Sequence, residues 1–240
     1  MKEFLILGRL GNQLFQFAHI YSEIFYGPNK DYGICFDNPI PDIDFGSLKY
    51  PPKFVENENF TGWNESELCF SPDIARLLYL PTPDKQIYFT EKYGNLDNSL
   101  FISVRRGDFL NVKDSFLCCN SEYYKKAYEA LINCGRDYDT VFITSDDYDW
   151  CKENINLDRK VIYLNELAPM ATLHFASCCK DFIINTSTFA WWCGWLGEKN
   201  GGIVICPNRK FLTPEFEVEN AIFFPNRWHK IENMEGLYEV

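Results

Sequence analysis

Residues 100–108 read LFISVRRGD, an apolar run that passes directly into a cluster of charge. A run of this length predicts a buried strand. The strand ends where Arg105 and Arg106 begin, and open α/β sheets bind their ligands at the carboxyl ends of their strands. The stretch therefore predicts a strand and, at its end, a place where a ligand binds.

The same pattern continues towards the C-terminus. Further strands are predicted at residues 140–144, 160–164, 181–184 and 202–206. Helices are predicted between them at residues 123–132, 149–155, 170–179 and 188–198. Strands that alternate with helices indicate a parallel sheet of the doubly wound type.

The N-terminal part repeats the order of strand, turn and helix. A short apolar strand is predicted at residues 4–7, and a second one at 33–36. Apolar residues recur at three- and four-residue spacing between them, which indicates a helix that stops at Gly27 and Pro28.

The segment from residue 37 to residue 90 is predicted to be irregular, because it carries seven prolines. Short helices are expected inside it, for example at residues 72–80. We therefore predict two α/β domains, residues 1–97 and residues 98–240, with a polar boundary near residues 94–98.

The net charge of −11 argues against general nucleic-acid binding, which needs a field of Lys and Arg to replace phosphate counterions. A local basic patch could still hold one nucleotide. The sequence shows no signal peptide and no apolar run near the roughly 20 residues that span a bilayer. We therefore expect a cytoplasmic protein without an integral membrane segment.

The ten cysteines include no CxxC pair, so the ligand spacing of a zinc site is missing from the sequence. A disulfide scaffold is not expected in a chain of this length without a secretion signal. Cysteine is among the most frequently buried residues. We therefore predict buried free thiols.

The first motif that could carry chemistry is GRLGNQ at residues 8–13, directly after the first predicted strand. Glycines let the backbone turn tightly and approach a ligand, and a helix N-terminus offers free N–H groups. Asn12 and Gln13 can hydrogen-bond to hydroxyls. A plain strand-to-helix turn explains the glycines as well, and the motif is neither GxGxxG nor a P-loop.

The second motif is the arginine pair with Gly107 and Asp108. Two adjacent guanidinium groups at a strand end suit a diphosphate, which accepts hydrogen bonds in pairs. Asp108 can hold one guanidinium in place. A surface charge cluster is the alternative, and the position at a strand end favours the diphosphate.

The third motif is Ser145, Asp146 and Asp147, at the end of the next predicted strand. Paired carboxylates could bind a metal ion or accept hydrogen bonds from a base or a ribose. They could equally cap the helix that follows. The residue types leave these interpretations open.

The fourth motif is NTSTFAWW at residues 185–192. Its three hydroxyl residues at a helix start can bind phosphate with side chains and backbone N–H groups, whereas a cap needs only one of them. Trp191 and Trp192 are predicted to pack in the core rather than to stack on a sugar.

Together, the four motifs resemble the α1,2-fucosyltransferase family. GRLGNQLFQ at residues 8–16 matches the opening of that family, and VRRGD at 104–108 matches its His-x-Arg-Arg-x-Asp element. Residues 142–151 and 185–196 match two further blocks in the same order.

The resemblance implies a GT-B fold, an α/β architecture with two Rossmann-like domains whose parallel sheets face a cleft. It implies an inverting transfer of fucose from GDP-fucose to a glycan acceptor, without a metal or another cofactor. The implied catalytic residues are Arg105, Arg106 and Asp108. The implied GDP-sugar and substrate residues are Gly11, Asn12, Gln13, Ser103, Asp146, Asp147, Thr186, Ser187, Thr188 and Phe189.

Within this resemblance, Arg105 and Arg106 would hold the pyrophosphate and stabilise the departing GDP. Ser103 stands where the family has histidine, which removes one expected contact. An inverting transfer benefits from a carboxylate base, and Asp108 and Asp114 are the nearest candidates.

Other functions fit the same motifs. The donor could be another GDP-deoxyhexose such as GDP-rhamnose, or water could be the acceptor. The chain could be a non-catalytic module that binds GDP or a glycan. A metal-dependent transferase that uses Asp146 and Asp147 is the remaining alternative.

Overall fold

A computed structural model describes residues 1–38, 40, 43–56, 60, 62–112 and 114–232. The chain forms two compact units, Met1–Leu80 and Pro81–Val240. Both units are built on sheets with parallel strands, as the alternation of strands and helices predicted. Among the helices in these ranges, none is long and apolar enough to cross a membrane.

The first unit holds a three-stranded sheet in the order β1-β2-β3. Its strands are β1 (Lys2–Ile6), β2 (Tyr32–Phe36) and β3 (Lys53–Phe54). Its helices are α1 (Leu10–Tyr26) and α2 (Pro72–Tyr79). The helix predicted at residues 72–80 is confirmed, and Pro72 begins it because proline fits the first helical position.

The turn between β1 and α1 is shorter than predicted. Gly8 lies in the turn with a φ of +85°, a conformation that favours glycine. Gly11, which was predicted to belong to the turn, already lies in the first turn of α1. The Gln16 side chain fixes this junction: Oε1 accepts from the Leu7 N–H at 3.0 Å, and Nε2 donates to the Leu7 carbonyl at 2.9 Å. One amide thus satisfies both backbone groups of the last residue before the turn.

The second unit holds a six-stranded sheet in the order β6-β5-β4-β7-β8-β9. Its strands are β4 (Ser99–Val104), β5 (Thr140–Ser145), β6 (Lys160–Tyr163), β7 (Asp181–Ile183), β8 (Val204–Pro207) and β9 (His229–Ile231). Its helices are α3 (Pro83–Tyr93), α4 (Ser121–Asn133), α5 (Tyr148–Asn154), α6 (Pro169–Ala176), α7 (Thr188–Gly197) and α8 (Glu217–Phe223). The strand order reverses between β4 and β7, so the ligand crevice of a doubly wound sheet falls there.

The two units divide after Leu80, earlier than the predicted boundary at residue 97. The helix α3 belongs to the second unit because its aromatic side chains pack there. The Phe89 ring meets the Phe175 ring of α6 edge-on at 5.4 Å, and the Tyr93 ring meets the same ring at 4.9 Å. The polar residues 94–98 therefore lie inside the second unit.

A buried carboxylate anchors the start of β7. Asp181 has no solvent-exposed surface. Its side chain accepts from the Tyr138 hydroxyl at 2.7 Å and the Ile203 N–H at 2.6 Å, and Arg136 Nε lies 3.0 Å from it. This bonding joins β7 to the segment before β5 and to the segment before β8.

The core of the second unit is rich in aromatic and sulfur side chains. Trp191 and Trp192 are fully buried, so the prediction that they pack in the core is confirmed. All ten cysteines are free, as predicted; six are buried, three are half-buried and Cys134 is exposed, so the predicted burial is confirmed for six of them. Burial raises the pKa of Cys151 to about 11 from its ordinary value of 9.0.

The raised thiol pKa values predict a loss of stability in alkali. Burial also raises the pKa of Cys119 and Cys193 well above the ordinary range. The unfolded chain releases these protons near pH 9 while the folded chain retains them, so unfolding is favoured as the pH rises above 9. Each such thiol lowers the free energy of unfolding by about 1.4 kcal/mol per pH unit in that window. We expect the free energy of unfolding, measured with urea and reductant, to be steady from pH 7 to 8 and to fall from pH 9 to 10.5.

Cys151→Ala tests the cause of this fall. The variant should show a shallower decrease above pH 9 than the unchanged chain. An equal urea midpoint at pH 8 and pH 10.5 for the unchanged chain would contradict the expectation.

Candidate functional site

The candidate site lies at the switch point of the second sheet, where three loops follow β4, β5 and β7. Val104 pairs with Ser145 across β4 and β5, and Ile102 pairs with Ile183 across β4 and β7. Parallel strands end at the same edge, so three of the predicted motifs are neighbours. These motifs are Arg105–Arg106, Asp146–Asp147 and Asn185–Phe189.

Arg106 is the most constrained cation of the site. It is 8% exposed, and its guanidinium carbon stands 4.0 Å from the centre of the Trp150 ring. Its Nε lies 3.4 Å from Asp147 Oδ2, and its backbone N–H donates to Asp146 Oδ1 at 2.9 Å. Within the described part of the chain, nothing accepts a hydrogen bond from its two Nη atoms. These two donors are available to an anion, and guanidinium groups bind phosphate with paired donors.

Arg105 differs from its neighbour because carboxylates already hold it. Its Nη1 lies 2.9 Å from Asp146 Oδ2, and its Nη2 donates to Asp108 Oδ1. The predicted pairing of Asp108 with an arginine is therefore observed. With two of its nitrogens engaged, Arg105 offers fewer donors to a ligand than Arg106 does.

Gly107 is required by the close approach of Asp146. A Cβ at Gly107 would lie 2.4 Å from Asp146 Oδ2, far inside contact distance. The same carboxylate holds both Arg105 and the Arg106 backbone. A side chain at position 107 would therefore displace the group that orders the arginine pair.

Asp147 caps α5, which is one of the interpretations that the sequence left open. Its Oδ1 accepts from the Trp150 N–H at 3.1 Å, and its own N–H donates to Ser145 Oγ at 2.8 Å. The other oxygen faces Arg106. In the residues that the structure covers, no group of three or more His, Cys, Asp or Glu side chains is arranged to hold a metal ion.

The loop after β7 is held from beneath by Asn185. Its Nδ2 donates to the Ser103 carbonyl at 2.8 Å and approaches Ser103 Oγ at 3.3 Å, while its Oδ1 accepts from the Ser187 N–H at 2.7 Å. Ser103 is buried at this contact. The Ser103 hydroxyl therefore contacts the buried Asn185 side chain.

The hydroxyl residues at the start of α7 take different positions. Ser187 caps the helix, with Oγ accepting from the Phe189 N–H at 3.2 Å. Thr186 is buried and donates to the Leu117 carbonyl at 2.8 Å. Ser187, Thr188 and Phe189 are partly exposed, so they are the members of this motif that a ligand can reach.

The predicted substrate residues of the N-terminal motif lie in the first unit. Gly11 and Gln13 are buried, and Gln13 Nε2 donates to the Asn38 carbonyl at 2.5 Å. Asn12 is half-buried and lies beside Gly8. Among these three residues, Asn12 is the one whose side chain borders the surface.

Two residues of the site were not predicted as site residues, although both stood inside the motifs. Trp150 lies under Arg106, and Asn185 links two loops. The signal for Trp150 was its place three residues after Asp147, which puts it in the first turn of the helix that Asp147 caps. The candidate base Asp114 is exposed, and Asp108 is exposed beside Arg105.

Comparison with known proteins agrees with this geometry. The sequence model of glycosyl transferase family 11 matches residues 89–232, which include the arginine pair and the loops after β5 and β7. An α-1,2-colitosyltransferase of Escherichia coli is 30% identical over 200 residues, which cover 78% of this chain and 65% of that protein. The O-antigen biosynthesis glycosyltransferase WbnK of Escherichia coli is 25% identical over 120 residues, 48% of this chain and 39% of that protein.

The chain thus spans less than two thirds of the length of either relative. A solved structure of a glycosyl transferase family 9 protein from Veillonella parvula DSM 2008 covers 99% of this chain and 88% of its own, with a TM-score of 0.58 and 10% identity. This likeness concerns the fold, and it agrees with the predicted GT-B class. Because the family model covers more than half of the residues and includes three of the four motifs, the chain belongs to glycosyl transferase family 11, the α1,2-fucosyltransferase family that its motifs resemble.

Proposed function

We propose that this protein transfers fucose from GDP-fucose to a hydroxyl of a glycan acceptor, with inversion and without a metal ion. The observation that carries the proposal is Arg106, a nearly buried guanidinium with two Nη atoms that no described residue engages, at the switch point of the sheet. Its Nε already pairs with Asp147, so the two Nη atoms are the donors that remain for an anionic ligand.

The pyrophosphate of a GDP-sugar fits this demand. Arg106 would donate two parallel hydrogen bonds to it. Arg105, which Asp146 and Asp108 hold in place, would add a second positive charge. The amino end of α7, with the partly exposed Ser187 and Thr188, adds donors and the positive end of the helix dipole.

The chemical step is cleavage of the bond between the sugar and the pyrophosphate as an acceptor oxygen attacks the anomeric carbon. Negative charge builds on the departing GDP, and Arg106 is placed to stabilise it because Trp150 and Asp147 already fix its position. The proton of the acceptor hydroxyl passes to a base. Asp108 is our candidate for that base.

The carboxylates of the site support transfer without a metal ion. Asp146 uses one oxygen for the Arg106 N–H and the other for Arg105. Asp147 uses one for the Trp150 N–H and the other for Arg106. A cation would have to compete with these partners for all four oxygens.

The proposal also names the donor sugar, for which there is more than one candidate. The relative that is 30% identical is named for colitose, so a colitosyl donor is a third candidate beside GDP-fucose and GDP-rhamnose. The alternatives to glycosyl transfer are hydrolysis of the donor and GDP binding without turnover.

The test is a calorimetric titration of the purified protein with GDP, repeated in EDTA, followed by turnover with GDP-fucose and a panel of glycan acceptors. We expect GDP to bind with the same affinity in both buffers and fucose to appear on an acceptor. Binding that is lost in EDTA would contradict the metal-free site. Binding without any transfer would favour the non-catalytic module, and no binding would overturn the proposal.

A further inference from the structure

A pair of exposed aromatic rings stands on the first unit. Phe60 is 38% exposed and Trp63 is 45% exposed, and their ring centres lie 5.0 Å apart at an interplanar angle of 68°. Phe60 forms an isolated parallel bridge with Leu5 of β1. The pair therefore lies towards the carboxyl end of that strand.

The backbone holds Trp63 in place. Gly62 and Asn64, on either side of it, have φ values of +100° and +53°. Left-handed backbone is uncommon outside glycine and asparagine, so both residue types suit their positions. Asn64 Nδ2 donates to the Gly62 carbonyl at 3.1 Å, which closes the turn around the tryptophan.

The indole rests on the turn between β1 and α1. A Cβ at Gly8 would lie 3.2 Å from Trp63 Cζ3 and 3.1 Å from Asn12 Nδ2, so the ring and the amide are neighbours. No residue in the described ranges accepts a hydrogen bond from the indole N–H of Trp63. This surface thus combines an exposed indole ring, an N–H that no described residue engages, and an adjacent side-chain amide.

We propose that Trp63, with Phe60 packed edge-on against it, forms a stacking platform for one pyranose ring of the acceptor glycan, an inference that rests on the proposed function. A pyranose carries C–H groups on its faces and hydroxyls on its rim. The aromatic face suits the former, while the indole N–H and Asn12 suit the latter. Ligand sites typically combine a mostly apolar wall with a few polar groups in this way.

The occupant is the acceptor rather than the donor nucleotide because the second unit supplies the groups that suit GDP. The first unit shows no comparable arginine pair in its described residues. Its aromatic surface instead suits a neutral, hydroxyl-rich ligand. The platform therefore contributes to acceptor affinity and leaves GDP affinity unchanged.

The experiment compares Trp63→Ala and Trp63→Phe with the unchanged protein in transfer assays with GDP-fucose and a free disaccharide acceptor found in the panel. We expect Trp63→Ala to raise the acceptor KM about 5- to 10-fold, the range of one ring contact. Trp63→Phe should recover part of this loss. The Kd for GDP and the KM for GDP-fucose should stay within about twofold.

Phe54→Ala is the matched control, because Phe54 is an exposed aromatic of the same unit, 67% exposed, that also pairs edge-on with another ring. It should leave the acceptor KM unchanged. Thermal melting of each variant establishes that it is folded.

Three outcomes would overturn the platform. The first is an acceptor KM in Trp63→Ala that stays within twofold of the unchanged value. The second is a rise of the acceptor KM in Phe54→Ala equal to that in Trp63→Ala. The third is a dimer of the unchanged protein that dissociates in Trp63→Ala, which would make the rings a contact between copies. Absence of GDP binding in the unchanged protein is a separate failure, that of the proposed function. In that case, a fluorescence assay still tests the platform. Methyl glycosides of galactose, glucose and N-acetylglucosamine are added to the unchanged protein and to Trp63→Phe, and the quenching of tryptophan fluorescence is compared. Equal quenching in the two proteins overturns the platform.

Discussion

Arg106→Ala is expected to weaken GDP binding by about 2 to 4 kcal/mol, or roughly 30- to 700-fold in Kd. The side chain is nearly buried, and its Nη atoms are the donors that the surrounding residues leave open. The variant removes a charged hydrogen bond to the pyrophosphate and also leaves Asp147 without its cation. The measurement is calorimetric titration with GDP at fixed salt.

Arg106→Lys separates charge from geometry. Lysine keeps the positive charge, but it cannot donate in parallel pairs and does not lie flat on Trp150. We expect it to recover only a minor part of the lost affinity.

Arg159→Ala is the matched control for this series. Arg159 pairs with Asp137 at 2.6 Å at the amino end of β6, away from the candidate site. GDP affinity should not change in this variant. If Arg159→Ala and Arg106→Ala weakened binding equally, the loss would reflect general stability or net charge, and the pyrophosphate assignment would be wrong.

Asp181→Ala is expected to lower the free energy of unfolding by about 3 to 5 kcal/mol, the largest stability effect that we predict for a single change. The carboxylate is fully buried and satisfies Arg136, Tyr138 and the Ile203 N–H. Its removal leaves these three groups without an acceptor. Urea unfolding followed by circular dichroism measures the effect.

Asp137→Ala provides the comparison for Asp181. Asp137 also pairs with an arginine, but its side chain is 80% exposed, and exposed pairs contribute about 0 to 1 kcal/mol. The two variants lose the same chemical group in opposite environments. If both variants lost a similarly small free energy of unfolding, the burial of Asp181 would not be the cause of a large stability effect.

The strands of the second sheet could be predicted because most of them are buried on both faces. Buried parallel strands read as continuous apolar runs, and β4, β5 and β7 were found within one residue at each end. The strand β9 was missed because its three residues, His229–Ile231, are exposed or half-buried and carry no apolar alternation. The two-residue strand β3 was missed for the same reason.

The helix α3 was missed because its sequence sits in the proline-rich segment and buries only Phe89. Its Pro83 is a start signal at the first helical position, yet a run of prolines also indicates irregular chain. Only tertiary packing on α6, which local sequence does not report, settles the choice. The same packing moves the division of the units to Leu80.

The site was predictable as far as strand ends determine it. Arg105, Asp146 and Ser187 each follow a strand of one parallel sheet, and so their proximity follows from topology. What the sequence did not contain was the distribution of partners within the cluster. That Arg105 is held by two carboxylates while Arg106 keeps two donors open depends on side-chain rotamers.

The order of the strands also has a consequence for when the site comes into being during synthesis. The links that join its loops span 40 residues between Arg106 and Asp146, and 82 residues between Ser103 and Asn185. Contacts between distant residues form slowly, and the chain leaves the ribosome from its N-terminus. A nascent chain that ends before β7 already carries both arginines but lacks the strand that completes the crevice. The proposed nucleotide site is therefore completed only after most of the second unit has been translated.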